Sequence, residues 1–151
     1  MLTVRHEYQI SFDPGLTATG WALFRNGLID STGTIRPRGT VRQDKLFDLS
    51  SKLRLLFSDT INRFGSKARI AALEEWGSFS PSCRFQTMVA CAEARGVLVA
   101  ICFEYAEEVR YINKGKTPKT QATWLASKFG IKGSEHARDA AHLGMLAGFL
   151  G

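Results

Sequence analysis

Asn26-Gly27 constrains this chain more than any other pair of residues. It lies between two runs rich in strand formers, Thr19 to Phe24 and Leu28 to Ile35. A two-residue hairpin turn needs positive φ at both central positions, and Asn-Gly reaches that conformation at little steric cost. The two runs are therefore predicted to be antiparallel neighbours. A third run, Tyr8 to Phe12, stops at Asp13-Pro14-Gly15, which reads as a strand ending in a turn. Three antiparallel strands are expected to open the fold.

The period then changes. From Arg42 to Phe64 the apolar positions are Leu46, Leu49, Leu53, Leu56, Phe57 and Ile61, one face of a helix, and Gly65 fits its stop. Ala68 to Leu73 reads as a strand that delivers Glu74 at its end. Ser80-Pro81 resembles an N-cap followed by proline at the first helical position, so a long helix is predicted from Pro81 to Tyr105. Gly96 falls inside it, where glycine costs about 1 kcal/mol relative to alanine. That cost implies close approach of another backbone. Glu108 to Ile112 is a fifth strand, and Pro118 to Phe129 and His136 to Leu150 are two final helices. The expected class is α/β: a mixed five-stranded sheet, three antiparallel strands then parallel additions, flanked by helices.

The length of 151 residues fits one domain over 1–151, large enough to bury a core without disulfides. Hydrophobic residues at 44% and charged residues at 23% exclude disordered, collagen-like and coiled-coil classes. The longest nearly apolar run, Ala140 to Leu150, is about half the ~20 residues a membrane span needs, and His142 interrupts it. No basic-then-apolar leader opens the chain. Cys83, Cys91 and Cys102 are odd in number and lack a C-x-x-C, which predicts buried thiols in a reducing compartment and no zinc site. The expected location is therefore the cytoplasm, with no membrane partner. The net charge is +6 and both halves share it. Residues 109–132 hold Arg110, Lys114, Lys116, Lys119, Lys128 and Lys132 and no acid. On charge alone, a polyanion footprint and a solvated face weigh equally.

Three acids fall where chemistry is built. Asp13 closes one apolar strand and Glu74 closes another. Asp139 lies in the alanine-rich start of the last helix, with His136 three residues earlier on the same face. If the strand ends are neighbours and the helix packs beside them, three carboxylates and an imidazole converge. Hard oxygen ligands with one histidine suit Mg²⁺ or Mn²⁺, and two such ions can clamp a phosphodiester. Each residue also has an ordinary role open to it. Asp13 could cap its turn, Glu74 could pair with an arginine, Asp139 could complement the helix dipole, and His136 could be a satisfied histidine.

The same residues resemble those of the RuvC-type Holliday-junction resolvases. Asp13-Pro14-Gly15 followed by Thr19-Gly20 is similar to that family's opening motif. Ala72-Leu73-Glu74-Glu75 resembles its second acidic strand end, and Ala94-Arg95-Gly96-Val97 its central helix. Pro118-Lys119-Thr120-Gln121 resembles its lysine segment, and His136-x-x-Asp139-Ala140 its closing acid motif. The matches come in family order across roughly residues 8–148. The resemblance implies a ribonuclease H-like fold, a homodimer, and two-metal hydrolysis of four-way DNA junctions leaving 5′-phosphate and 3′-hydroxyl ends. It implies Asp13, Glu74, His136 and Asp139 as catalytic metal ligands, with two Mg²⁺ or Mn²⁺ per active site. Asp13 would bridge both ions, and His136 would serve as ligand or water-orienting group. It implies DNA contacts at Lys119 and Arg110, with Lys114 and Lys116 in the same basic stretch, and a dimer interface along the helix around Gly96.

Departures from the family pattern are local. Ser11-Phe12 stands where the family has Gly-Ile, which reads as packing variation. Gly77 occupies the usual position of an aromatic wedge, leaving Phe79, and after it Trp76, to stack on an unpaired base. Glu75 stands where relatives carry a neutral amide, and strand alternation points it away from Glu74. The rival readings are a YqgF-like nuclease of the same fold acting on RNA and a non-catalytic protein that binds branched DNA. A sugar-kinase or actin-type ATPase shares the first motif but needs two such domains.

Overall fold

The computed structural model describes residues 7–75, 84–113, 127 and 134–151. The strands are β1 (Tyr8–Asp13), β2 (Thr19–Arg25), β3 (Leu28–Ile35), β4 (Ala68–Glu74) and β5 (Ala106–Ile112). They form one sheet in the order β3-β2-β1-β4-β5. β1 and β3 pair antiparallel with β2, whereas β1–β4 and β4–β5 are parallel. Asn26 (φ 54°) and Gly27 (φ 74°) make the turn that fixes the β2–β3 register.

The described helices are α1 (Arg42–Phe64), α2 (Phe85–Tyr105) and α3 (Glu135–Leu146). Strand alternation divides them between the two faces. Tyr8, Ile10 and Phe12 of β1, with Ala71 and Leu73 of β4, pack with Leu49, Leu53 and Phe57 of α1 and Leu98 and Ile101 of α2. Ala22, Phe24, Ile70 and Ala72 face the other way, against Ala140 and Ala141 of α3. Gly65 ends α1 at φ 76°, its N–H donating to the Ile61 carbonyl.

Several details differ from the sequence reading. α3 stops at Leu146 rather than Leu150, because Gly148 turns left-handed at φ 83° and Phe149 folds back onto Phe24, ring centres 5.6 Å apart. β5 begins at Ala106, directly off the end of α2, since Ala106 already pairs with Ala68. Gly96 is exposed, and a Cβ there would meet nothing within 4 Å among the described residues, so none of their backbone requires it. α2 begins at Phe85 rather than Pro81, because Arg84 is extended (φ −66°, ψ 141°) and forms its N-cap in place of Ser80. The expected helix Pro118 to Phe129 and residues Ser80, Pro81 and Cys83 lie outside the described residues.

By length and composition α2 could cross a membrane, which the sequence reading of apolar runs did not pick out because Glu93, Arg95 and Glu104 interrupt it. In this fold it is tied to α1 by Arg42–Glu93 (3.1 Å) and Arg54–Glu104 (2.8 Å).

Candidate active site

The site begins where the two central parallel strands end. Phe12 is registered with Leu73, so Asp13 and Glu74 follow as neighbours on adjacent strands. Phe12 and Leu73 are buried against α1 and α2, which turns Asp13 and Glu74 toward the α3 face. Glu75 lies past the strand end and is exposed, its N–H donating to the Ile112 carbonyl at 2.8 Å. Alternation therefore favours Glu74 over Glu75 as the companion of Asp13.

The loop after Asp13 is closed by a side chain. Thr19 Oγ1 donates to the Gly15 carbonyl (2.8 Å) and accepts the Gly15 N–H (3.2 Å). A Cβ at Gly15 would lie 2.5 Å from the Ala18 carbonyl oxygen, so only glycine makes this turn without displacement. The closed loop brings Asp13 opposite Gly20 in the β1–β2 register.

Gly20 in turn admits α3. A Cβ on it would lie 1.9 Å from the His136 carbonyl oxygen, so the start of α3 rests on bare backbone. Ser134 caps that helix, accepting the Ala137 N–H at 3.2 Å, and its hydroxyl also hydrogen-bonds Thr34 on β3. Farther along, Ser11 Oγ donates to the Ala140 carbonyl at 2.6 Å. The result is a contact between chain positions far apart: His136 Nδ1 lies 3.1 Å from Asp13 Oδ2. The Asp13 side chain is 23% exposed and that of His136 43%, so the pair is held yet open to solvent.

Asp139 is half-buried one turn beyond His136 on α3. The structure thus brings Asp13 and His136 into contact, registers Glu74 beside Asp13, and carries Asp139 on the helix that supplies His136. It does not gather all four as the sequence reading expected. Among the described residues no three His, Cys, Asp or Glu side chains are grouped to hold a metal ion. Carboxylates at short range repel, and gathering them requires a compensating positive charge. The donor set itself, carboxylate oxygens with one imidazole, matches the preference of a hard divalent cation.

Arg110 stands opposite Ala72, on the same sheet face as Glu74. Its guanidinium grips Glu108 through Nε (3.1 Å) and Nη2 (2.9 and 3.1 Å). A phosphate would have to compete with that exposed pair. Lys114, Lys116, Lys119, Trp76 and Phe79 lie outside the described residues.

Sequence reasoning passed over the residues that hold the site together. Ser11 read as packing variation, and Thr34 and Ser134 drew no attention. The available signals were a lone hydroxyl in the apolar run of β1, and a serine just before an alanine-rich helix start.

No protein-family model matches the sequence, and neither does any curated protein. Solved structures do. Thermus thermophilus RuvC in complex with a Holliday junction substrate superposes with a TM-score of 0.68 at 14% identity, over 95% of this chain and 94% of that one. A second Thermus thermophilus RuvC structure gives 0.66 at 13% identity, over 94% and 93%. The mixed sheet with helices on both faces, matched over nearly the whole of both chains, is the RuvC-type, ribonuclease H-like fold.

Proposed function

We propose that this protein is a structure-selective endonuclease that resolves four-way DNA (Holliday) junctions. The observation that carries the reading is the Asp13–His136 contact at the end of β1, with Glu74 registered beside it, in a fold shared with a protein solved on such a junction. The ends of parallel strands are where open α/β sheets hold their ligands.

In this reading Asp13, Glu74, Asp139 and His136 would hold two Mg²⁺ or Mn²⁺ ions. When bound, the ions offset the carboxylate charge, polarise the phosphodiester and lower the pKa of attacking water. The chain's own part is positional. Asp13 engages His136 at Nδ1 and so fixes the ring, which leaves Nε2 to meet water or a ligand. Lys119 and Arg110, with Lys114 and Lys116, contact phosphates without reading sequence. Phe79 or Trp76 stacks on an unpaired base at the branch. Cleavage leaves 5′-phosphate and 3′-hydroxyl ends.

Two nicks on a symmetric junction call for two sites, hence a homodimer. α2 offers a seam for it. Ala94, Leu98, Ile101 and Cys102 are buried in the protein's own core, while Phe85, Val89, Ala92, Gly96, Ala100 and Phe103 follow at helical spacing on the opposite side. Phe85 is 76% and Phe103 64% exposed. In this reading Gly96 lets the partner's backbone approach.

The test is metal-dependent nicking of a synthetic mobile four-way junction, with the product ends mapped. Asp13→Asn and Glu74→Gln are expected to lose cleavage while keeping junction binding. Wild-type rates in either variant would overturn the site. Preferential cutting of single-stranded RNA would assign the protein to RNA processing instead.

A further inference from the structure

We propose that Ser11 is a positioning residue of this active site: its hydroxyl pins α3, the helix that carries His136 and Asp139, to β1 at the depth that sets His136 against Asp13. The inference rests on the nuclease reading above and adds to it a residue of this chain, at a place where the resembling family carries glycine.

The geometry is that of a short lever. Ser11 is fully buried, and Oγ donates to the Ala140 carbonyl at 2.6 Å across the sheet–helix interface. That carbonyl lies within α3, and its second lone pair can accept a bond besides the helix's own. Ser11 precedes Asp13 by two residues on the same strand face, about 7 Å along β1. Ala140 follows Asp139 directly and lies one turn beyond His136. One hydrogen bond therefore joins the strand that carries the first acid to the helix that carries the last one.

The surrounding packing keeps this bond from being a loose contact. A Cβ on Gly144 would lie 2.9 Å from Ser11 Oγ and 2.2 Å from the Phe24 ring, so α3 presents glycine where it passes over the serine. At the near end, Gly20 lets the His136 backbone touch β2. The bare glycines let α3 come close. They supply no directional bond to stop it sliding along the sheet. Among the described residues, Ser11 supplies one in the middle of α3 and the Thr34–Ser134 pair one at its start.

The experiment compares Ser11→Ala with Leu49→Ala, a core change on the α1 face that lowers stability without touching α3. Each is measured for unfolding by urea, for Mn²⁺ affinity by calorimetric titration, and for junction Kd and single-turnover cleavage. Ser11→Ala is expected to weaken Mn²⁺ binding about fivefold and slow cleavage at least tenfold, with junction Kd within twofold of wild type. Leu49→Ala is expected to change neither once folded. Ser11→Cys keeps a weaker donor in a similar volume and should recover part of the loss. It carries the comparison if Ser11→Ala does not fold. Wild-type Mn²⁺ affinity and cleavage in Ser11→Ala, or equal losses in Leu49→Ala, would overturn the proposal. If the wild-type protein cuts no junction, the nuclease reading fails, and Mn²⁺ affinity alone decides the role of Ser11: a fivefold loss supports it and no loss overturns it.

Discussion

Cys102 shows how burial sets the chemistry of a single side chain. It is fully buried between α2 and the sheet, and desolvation pushes its thiol from 9.0 up to about 12. Tyr8, also fully buried, is raised in the same direction by burial, partly opposed by its 3.0 Å hydrogen bond to Thr60. Both groups hold their protons more tightly folded than unfolded. Their contribution is therefore complete below the unfolded pKa and is lost as pH rises through the folded one. For Cys102 the loss starts near pH 9 and grows as pH rises toward 12. Urea unfolding from pH 8 to pH 11 should show this decline, and Cys102→Ala should flatten it. The same burial predicts slow reaction of Cys102 with a disulfide reagent at pH 8 in the native protein and fast reaction in urea. Cys102 is buried, as the sequence led us to expect, whereas Cys91 is only half-buried. Residue-scale features of this kind are legible because they follow from an apolar neighbourhood. Ser11 was not, since a hydroxyl in a strand has a partner only once the opposing helix is known.

At the scale of elements, α3 is the piece that completes the site. Its N-cap serine, its alanine and glycine stripe and the bare backbone of Gly20 act together to seat it on β1 and β2. Gly20→Ala should force α3 off the sheet, costing about 1–3 kcal/mol of stability and most of the cleavage activity. Ser134→Ala removes one cap and the bond to Thr34, and should cost about 1 kcal/mol by urea unfolding, with a smaller effect on activity. Strand and helix types were readable from hydrophobic period and turn chemistry: Asn26-Gly27 fixed a hairpin, and Gly65 a helix end. Boundaries were less so. The chain from Ala140 to Leu150 stays apolar throughout, and only the tertiary gain of placing Phe149 on Phe24 ends the helix at Leu146. The site itself was half legible. Strand-end acids could be named from sequence, but their registry comes from parallel pairing between segments some sixty residues apart, which no local pattern encodes.

At the scale of the whole molecule, charge and symmetry decide what can be measured. In the proposed nuclease, a net charge of +6 and the phosphate contacts assigned to it predict junction affinity that falls steeply with salt, about one decade in affinity per decade of salt for each phosphate neutralised. Lys119→Ala should flatten that slope by roughly one unit with little loss of fold. The outer stripe of α2 predicts a dimer. Phe103→Glu should yield a monomer by analytical ultracentrifugation and uncouple the paired nicks, whereas an unchanged mass would exclude α2 as the seam. The reach of the Asp13–His136 contact has a consequence for biosynthesis. The two residues stand 123 positions apart, and α3 is made after every other described element. A nascent chain can pair its first three strands early, yet Asp13 lacks its histidine until α3 has been made. In the proposed nuclease, cutting power is withheld from any copy that has not yet made α3.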